Sequence, residues 1–134
     1  MTILARFNME LSRMNATDAF AAFVTRALIP AKARRFAVLA SSKKGQRKAL
    51  NGLCHEFDPA VRAAAICTKD YSKLWKKPCF AFHPRVGFGA EFSTVREAYD
   101  ELSLDDSWLI VLQDASAGIH RPEARWDDEK LLAG

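Results

Sequence analysis

The spacing of apolar residues changes part-way along this chain, and the change restricts which folds the chain can adopt. In the first half, apolar residues recur at intervals of three and four positions, which is the spacing of one face of a helix. The clearest set is Phe20, Phe23, Val24, Ala27 and Leu28. In the second half, compact runs at 79–83 and 108–113 are rich in aromatic and branched residues, as strands are. This order predicts an α+β fold, with a helical N-terminal half packed on a small, mainly antiparallel sheet in the C-terminal half.

Helix ends are marked in the first half. Asn15 or Thr17 is a suitable N-cap for the first helix, because either side-chain oxygen can accept a backbone hydrogen bond. Pro30 suits the first turn of a second helix. A third helix is predicted over about 43–57, and it ends before Pro59 because the residue preceding a proline avoids the helical region.

Turn and cap signals also divide the second half. Thr94 and Glu97 match a capping box, which predicts a helix that begins there and ends near Leu102. The stretch 84–89 contains proline and two glycines and is predicted to be rich in turns. A short last strand is predicted over 118–121.

The composition is that of one globular domain. The chain has 134 residues, of which 49% are hydrophobic and 27% charged, close to the globular average. A chain of this length buries roughly 68–70% of its unfolded surface. We therefore expect a single domain over 1–134, with mobile ends at about 1–14 and 127–134.

Apolar runs and cysteines indicate the compartment. No apolar run is long enough to span a bilayer, so no membrane association is predicted. Charged residues interrupt any apolar core of a secretory signal near the N-terminus; they are Arg6, Glu10 and Arg13. An odd number of widely spaced cysteines argues against a disulfide framework; the three are Cys54, Cys67 and Cys79. A cytoplasmic location is expected.

Charge is divided unequally along the chain. Residues 1–77 hold 15 Lys and Arg against 5 Asp and Glu, whereas residues 78–134 hold 5 against 11. Between Ala19 and His55 there is no acidic residue. The basic residues of that stretch are Arg26, Lys32, Arg34, Arg35, Lys43, Lys44, Arg47 and Lys48. Such a segment can face an acidic protein, nucleic acid, or only water.

The predicted third helix carries part of this charge on one side. At 100° per residue, an outer stripe is shared by Lys44, Lys48, Asn51 and His55. Lys43 and Arg47 flank the apolar side of the same helix. No aromatic residue that could stack on bases lies in the stripe. Trp75 is flanked by lysines and is a candidate interface anchor. The predicted partner-binding residues are Arg34, Arg35, Lys44, Arg47, Lys48, His55 and Trp75.

Residue patterns for catalysis and metal binding are weak. Cys54 and His55 are adjacent, but neighbours in a helix point about 100° apart, so they do not form a nucleophile and base. Cys79 and His83 share a strand face, yet no Cys-x-x-Cys pair accompanies them. No catalytic residue, metal ligand or cofactor is predicted, and a non-enzymatic protein is favoured.

The run Lys43-Lys44-Gly45-Gln46-Arg47-Lys48, followed by Leu50, Leu53 and His55, is similar to a segment of small uncharacterised bacterial α+β proteins. Those resemble immunity and antitoxin-type proteins, and the similar stretch covers roughly 34–123. The chain departs from them at 86–89, where Val-Gly-Phe-Gly stands in place of a polar Asp-Gly turn.

The resemblance implies a binder that neutralises a partner toxin by shape and charge complementarity. The basic stripe would suit an acidic partner. A second surface would suit a basic one; its residues are Asp100, Glu101, Asp105 and Asp106. The alternative function is a small basic module that binds nucleic acid.

Overall fold

The structure, a computed structural model, describes residues 14–49, 72–105 and 107–121, and the backbone of 130–133. Four helices and five strands lie in these ranges. The helices are α1 (Ala16–Ala27), α2 (Pro30–Leu39), α3 (the helical residues 43–49) and α4 (Val95–Leu102). The strands are β1 (Cys79–His83), β2 (Gly87–Phe92), β3 (Trp108–Leu112), β4 (Ala117–Arg121) and β5 (Lys130–Ala133).

The strands form one sheet in the order β2-β1-β3-β4-β5, and every pair in it is antiparallel. β1 and β2 are joined as a hairpin. The chain then crosses through α4 to reach β3 on the other side of β1. The predicted α+β class, with helices first and an antiparallel sheet after them, is confirmed.

Apolar residues cover both faces of the sheet, because neighbouring residues of a strand point to opposite sides. Phe80 and Phe82 of β1 belong to a core shared with α1 and α2. Cys79 and Ala81 belong to a second core beneath α4, together with the buried Trp108. The sheet is therefore the middle of three layers, with α1 and α2 on one face and α4 on the other.

The predicted capping side chains lie at the starts of the helices. Asn15 Oδ1 accepts the backbone N–H of Asp18 at 2.8 Å at the start of α1. Thr94 Oγ1 accepts the N–H of Glu97 at 3.2 Å at the start of α4. Pro30 lies in the first turn of α2. These helices therefore begin where the side-chain signals predicted.

The stretch 84–89 was predicted to be rich in turns, and it does contain a turn, but only at 84–86, because β2 begins at Gly87. The φ angles of Gly87 and Gly89 are +98° and +93°, which L side chains rarely adopt. Gly89 is the extra residue of a bulge between the pairs Ala81–Ala90 and Phe82–Phe88. Gly87 and Gly89, which favoured a turn in the sequence, therefore belong to a bulged edge strand.

Other predictions concern the chain ends and the third helix. β5, at 130–133, pairs with β4 and was not predicted. Of the ends expected to be mobile, 1–14 and 127–134, residues 1–13, 127–129 and 134 lie outside the described residues. The part of the predicted third helix beyond 49, to about 57, also lies outside them. None of the helices in the described ranges is long and apolar enough to cross a membrane.

Candidate binding cleft

The basic helix α3 packs very closely against the end of α2. Gly45 is buried, and a Cβ added there would lie 2.0 Å from the backbone oxygen of Leu39. Ser42 Oγ accepts the N–H of Gly45 at 3.0 Å, which caps the first turn of α3. Ala49, one turn further on, is fully buried in the core of α1 and α2. The absence of a side chain at Gly45 therefore permits this helix position.

Gln46 ties α3 to two earlier parts of the chain. Its Nε2 donates to the backbone oxygen of Ala40 at 3.0 Å and to Thr17 Oγ1 at 3.4 Å. Its backbone N–H donates to the oxygen of Ser42 at 2.7 Å. These bonds fix the orientation of α3 against α1 and the junction that follows α2.

The turn between β1 and β2 is held by residues on the α4 side of the sheet. The Arg85 guanidinium donates to Glu101 Oε1 and to Asp105 Oδ2, both at 2.6 Å, and to the backbone oxygen of Glu101. The hydrogen bond from Arg85 lowers the pKa of the Asp105 carboxyl below its ordinary value. The turn itself is closed by bonds from Arg85 N to His83 Nδ1 and from Val86 N to His83 O, both at 3.1 Å.

A cleft of about 630 Å³ lies between α3 and this hairpin. Its lining residues are Lys43, Gln46 and Arg47 of α3, and His83, Pro84, Gly87 and Phe88 of the hairpin. The Phe88 ring is partly buried and packs against Phe20 and Phe82, with ring centroids 4.9 and 4.7 Å away. One wall is thus basic, and the other is apolar at Pro84 and Phe88, with the imidazole of His83 beside them.

No carboxylate of the described residues neutralises the basic wall. Lys43 and Arg47 lie one helical turn apart and are exposed. Within the described ranges, no carboxylate forms an ion pair with either residue, and none lines the cleft. The cleft therefore presents a positive potential beside an apolar wall.

The predicted partner-binding residues are only partly brought together. Five of them are exposed on α2 and α3: Arg34, Arg35, Lys44, Arg47 and Lys48. Of these five, Arg47 alone lines the cleft, and Arg34 lines a separate groove of about 470 Å³ with residues of α1 and α2.

Trp75 lies on the other face of the sheet. Its ring meets the ring of Tyr99 edge to face at 5.3 Å and packs on the core beneath α4. The structure therefore does not bring Trp75 to the basic surface. His55 lies outside the described residues.

Sequence reasoning missed Lys43 and Gln46 as site residues. The helix geometry did place Lys43 and Arg47 on the border between the apolar and polar sides of α3, which is where a cleft wall forms. The hairpin wall had no comparable signal, because its packing against α3 depends on tertiary contacts.

The buried cysteine of β1 is not suited to nucleophilic chemistry. Burial, together with the charge of Glu97, raises the pKa of the Cys79 thiol to about 12. Its Sγ lies 3.7 Å from the backbone oxygen of Thr94. Among the described residues, no three His, Cys, Asp or Glu side chains come together as metal ligands would.

Comparison of the chain with family models, curated proteins and solved structures found no match in any of the three.

Proposed function

We propose that this chain is a cytoplasmic, non-enzymatic binding protein that docks an acidic surface of a partner protein on its basic face. By the basic face we mean the exposed cations of α2 and α3 that form no ion pair with a described residue. They are Arg34, Lys43, Lys44, Arg47 and Lys48. The partner is a toxin-like protein whose action is blocked by occlusion, as the resemblance to immunity and antitoxin-type proteins implies.

The observation that carries this choice is the unequal neutralisation of the two charged surfaces. Arg85 bridges Glu101 and Asp105, and Arg96 lies 3.9 Å from Asp100 on the same helix. Asp100, Glu101 and Asp105 thus form ion pairs with two arginines of the protein, and Asp106 lies outside the described residues. The basic face keeps its charge for a partner, which it would attract through complementary potential.

The rigidity of the basic face supports the same function. α3 is held by the close packing at Gly45 and by the hydrogen bonds of Gln46. Surfaces that are ordered before binding lose less conformational entropy when a partner docks. A preformed basic face is therefore suited to specific recognition.

Charge reversal tests the proposal. A partner captured by the wild-type chain is measured against the triple variant Lys44→Glu, Arg47→Glu, Lys48→Glu. The matched control is Lys73→Glu, Lys76→Glu, Lys77→Glu, which changes the net charge equally in the exposed turn at 72–77. We expect the first variant to bind roughly 30-fold more weakly, or about 2 kcal/mol, and the control to bind within about threefold of wild type. Equal affinity of the two variants contradicts the proposal.

Nucleic acid is the second candidate for the basic face, because the same unpaired cations suit phosphates. It is tested by fluorescence anisotropy of labelled RNA and duplex DNA from low to physiological salt. Affinity that falls steeply with salt, with a smaller slope in Lys44→Glu and Lys48→Glu, would replace the protein-partner proposal. Absence of binding near physiological salt excludes nucleic acid, and the charge-reversal test then separates a protein partner from a face that contacts only water.

A further inference from the structure

We infer that the cleft between α3 and the β1–β2 hairpin receives a carboxylate side chain and an adjacent aromatic side chain of the partner. The inference rests on the proposed function and names the part of the partner that the basic face recognises. The observation is a cleft with one wall of cations that form no ion pair with a described residue, and a second wall that holds Pro84 and Phe88 beside the imidazole of His83.

The cationic wall is suited to a single carboxylate. Lys43 and Arg47 are separated by one helical turn and both line the cleft, so one carboxylate between them can contact both groups. Arg47 can bind it through two parallel N–H donors, while Lys43 adds a point charge. Hydrogen bonds of this charge-assisted kind are stronger than neutral ones.

Gln46 adds an acceptor between these two donors. Both of its amide hydrogens are used within the protein, one toward Ala40 and one toward Thr17. The remaining hydrogen-bonding atom is Oε1, which accepts and does not donate. A backbone N–H next to the bound carboxylate would satisfy it, and this requirement is met by a peptide.

The apolar wall is suited to an aromatic ring. Phe88 is held by Phe20 and Phe82, so its ring offers a fixed surface for stacking. A Cβ added at Gly87 would meet no atom within 4 Å, so the space beside Phe88 is open. The volume of about 630 Å³ falls within the range of ligand pockets and holds two side chains.

The test is an NMR titration of the full chain with capped dipeptides. Acetyl-Asp-Phe-amide is compared with acetyl-Asn-Phe-amide, which lacks the charge, with acetyl-Asp-Ala-amide, which lacks the ring, and with inorganic phosphate. We expect saturable shifts of the amides of Lys43, Arg47, Gly87 and Phe88 with the first probe, and at least about fivefold weaker binding of the other three. Equal binding of the Asp and Asn peptides, or binding of phosphate alone, would overturn the inference.

Two double variants test which cations of α3 bind the dipeptide. Lys43→Gln with Arg47→Gln removes two charges that line the cleft, whereas Lys44→Gln with Lys48→Gln removes two that do not. All four side chains are exposed, so both variants should fold. We expect at least about tenfold weaker binding of acetyl-Asp-Phe-amide in the first variant and less than about twofold in the second.

The same two variants, measured for binding of the partner protein, distinguish a failure of this inference from a failure of the proposed function. If both variants weaken binding of the partner protein equally, the basic face binds but the cleft has no special role, and the inference is overturned. If neither weakens partner binding, the proposed function itself fails.

Discussion

Replacing Gly45 with alanine should destabilise the protein, although helix propensity alone predicts the opposite. Gly45 lies in helix α3, and its φ angle is not in the left-handed region. On propensity, alanine is better than glycine in a helix by up to about 1 kcal/mol. In this structure, however, the added Cβ would lie 2.0 Å from the oxygen of Leu39 and 2.8 Å from its carbonyl carbon.

The size of the effect follows from what must move. The clashing atoms belong to the backbone at the end of α2, so no side-chain rotation relieves them, and α2 and α3 must separate. Overpacking of this kind costs up to about 3 kcal/mol. Subtracting the gain in propensity leaves a net loss of about 2 kcal/mol in the free energy of unfolding.

Urea unfolding, followed by far-ultraviolet circular dichroism, measures this loss. Lys44→Ala is the matched control, since Lys44 is the exposed neighbour in the same helix, and it should change stability by less than about 0.5 kcal/mol. If α3 detaches without global unfolding, hydrogen exchange of the amides at 46–49 rises instead. A Gly45→Ala protein with unchanged or greater stability and unchanged exchange would refute the reasoning.

Three further predictions concern single side chains. Asn15→Ala should cost about 1 kcal/mol in the free energy of unfolding because the cap of α1 is lost. Asn15→Asp keeps the hydrogen-bond acceptor and should cost much less. Equal losses of stability in urea unfolding would contradict the capping role of Asn15. The Cys79 thiol, with a pKa raised to about 12, should resist iodoacetamide at pH 8 in the folded protein and react after unfolding, as mapped by mass spectrometry; labelling of folded protein would contradict its burial. Arg85→Gln should raise the pKa of Asp105 toward its ordinary value, measured by NMR of the carboxyl carbon, because the side-chain hydrogen bond that lowers it is lost. Since the folded pKa is lowered, the stabilisation from this pair is present at neutral pH and disappears as pH falls through that pKa.

The elements that were predicted correctly are those with local signals. The helix α1 has apolar spacing and a capping side chain at Asn15, and α4 has Thr94 in the same role. The strands β1 and β3 are continuous apolar runs buried along nearly their whole length. In each case the residues that determine the helix or strand lie within it or at its end, so a single sequence is enough to predict it.

The missed elements depend on distant residues. β2 contains two glycines, which favour a turn in the sequence, and Gly89 is explained by a contact with another element: a Cβ at Gly89 would lie 2.2 Å from that of Ala16 in α1. The short strand β5 is defined by its pairing with β4. The cleft has the same origin, since its two walls come from parts of the chain that only the folded structure brings together.

The two walls of the cleft are held by separate groups, and none of these groups is one of the binding cations. α3 is fixed by buried contacts at Gly45 and by the amide of Gln46. The hairpin is fixed by Arg85 toward α4 and by Phe88 toward α1. The cations themselves are exposed, and replacing an exposed side chain usually changes stability by less than about 0.5 kcal/mol. Affinity and stability should therefore respond to different substitutions: changes at the cations weaken binding in a protein that stays folded, whereas a change at Gly45 reduces stability and impairs binding only by displacing a wall.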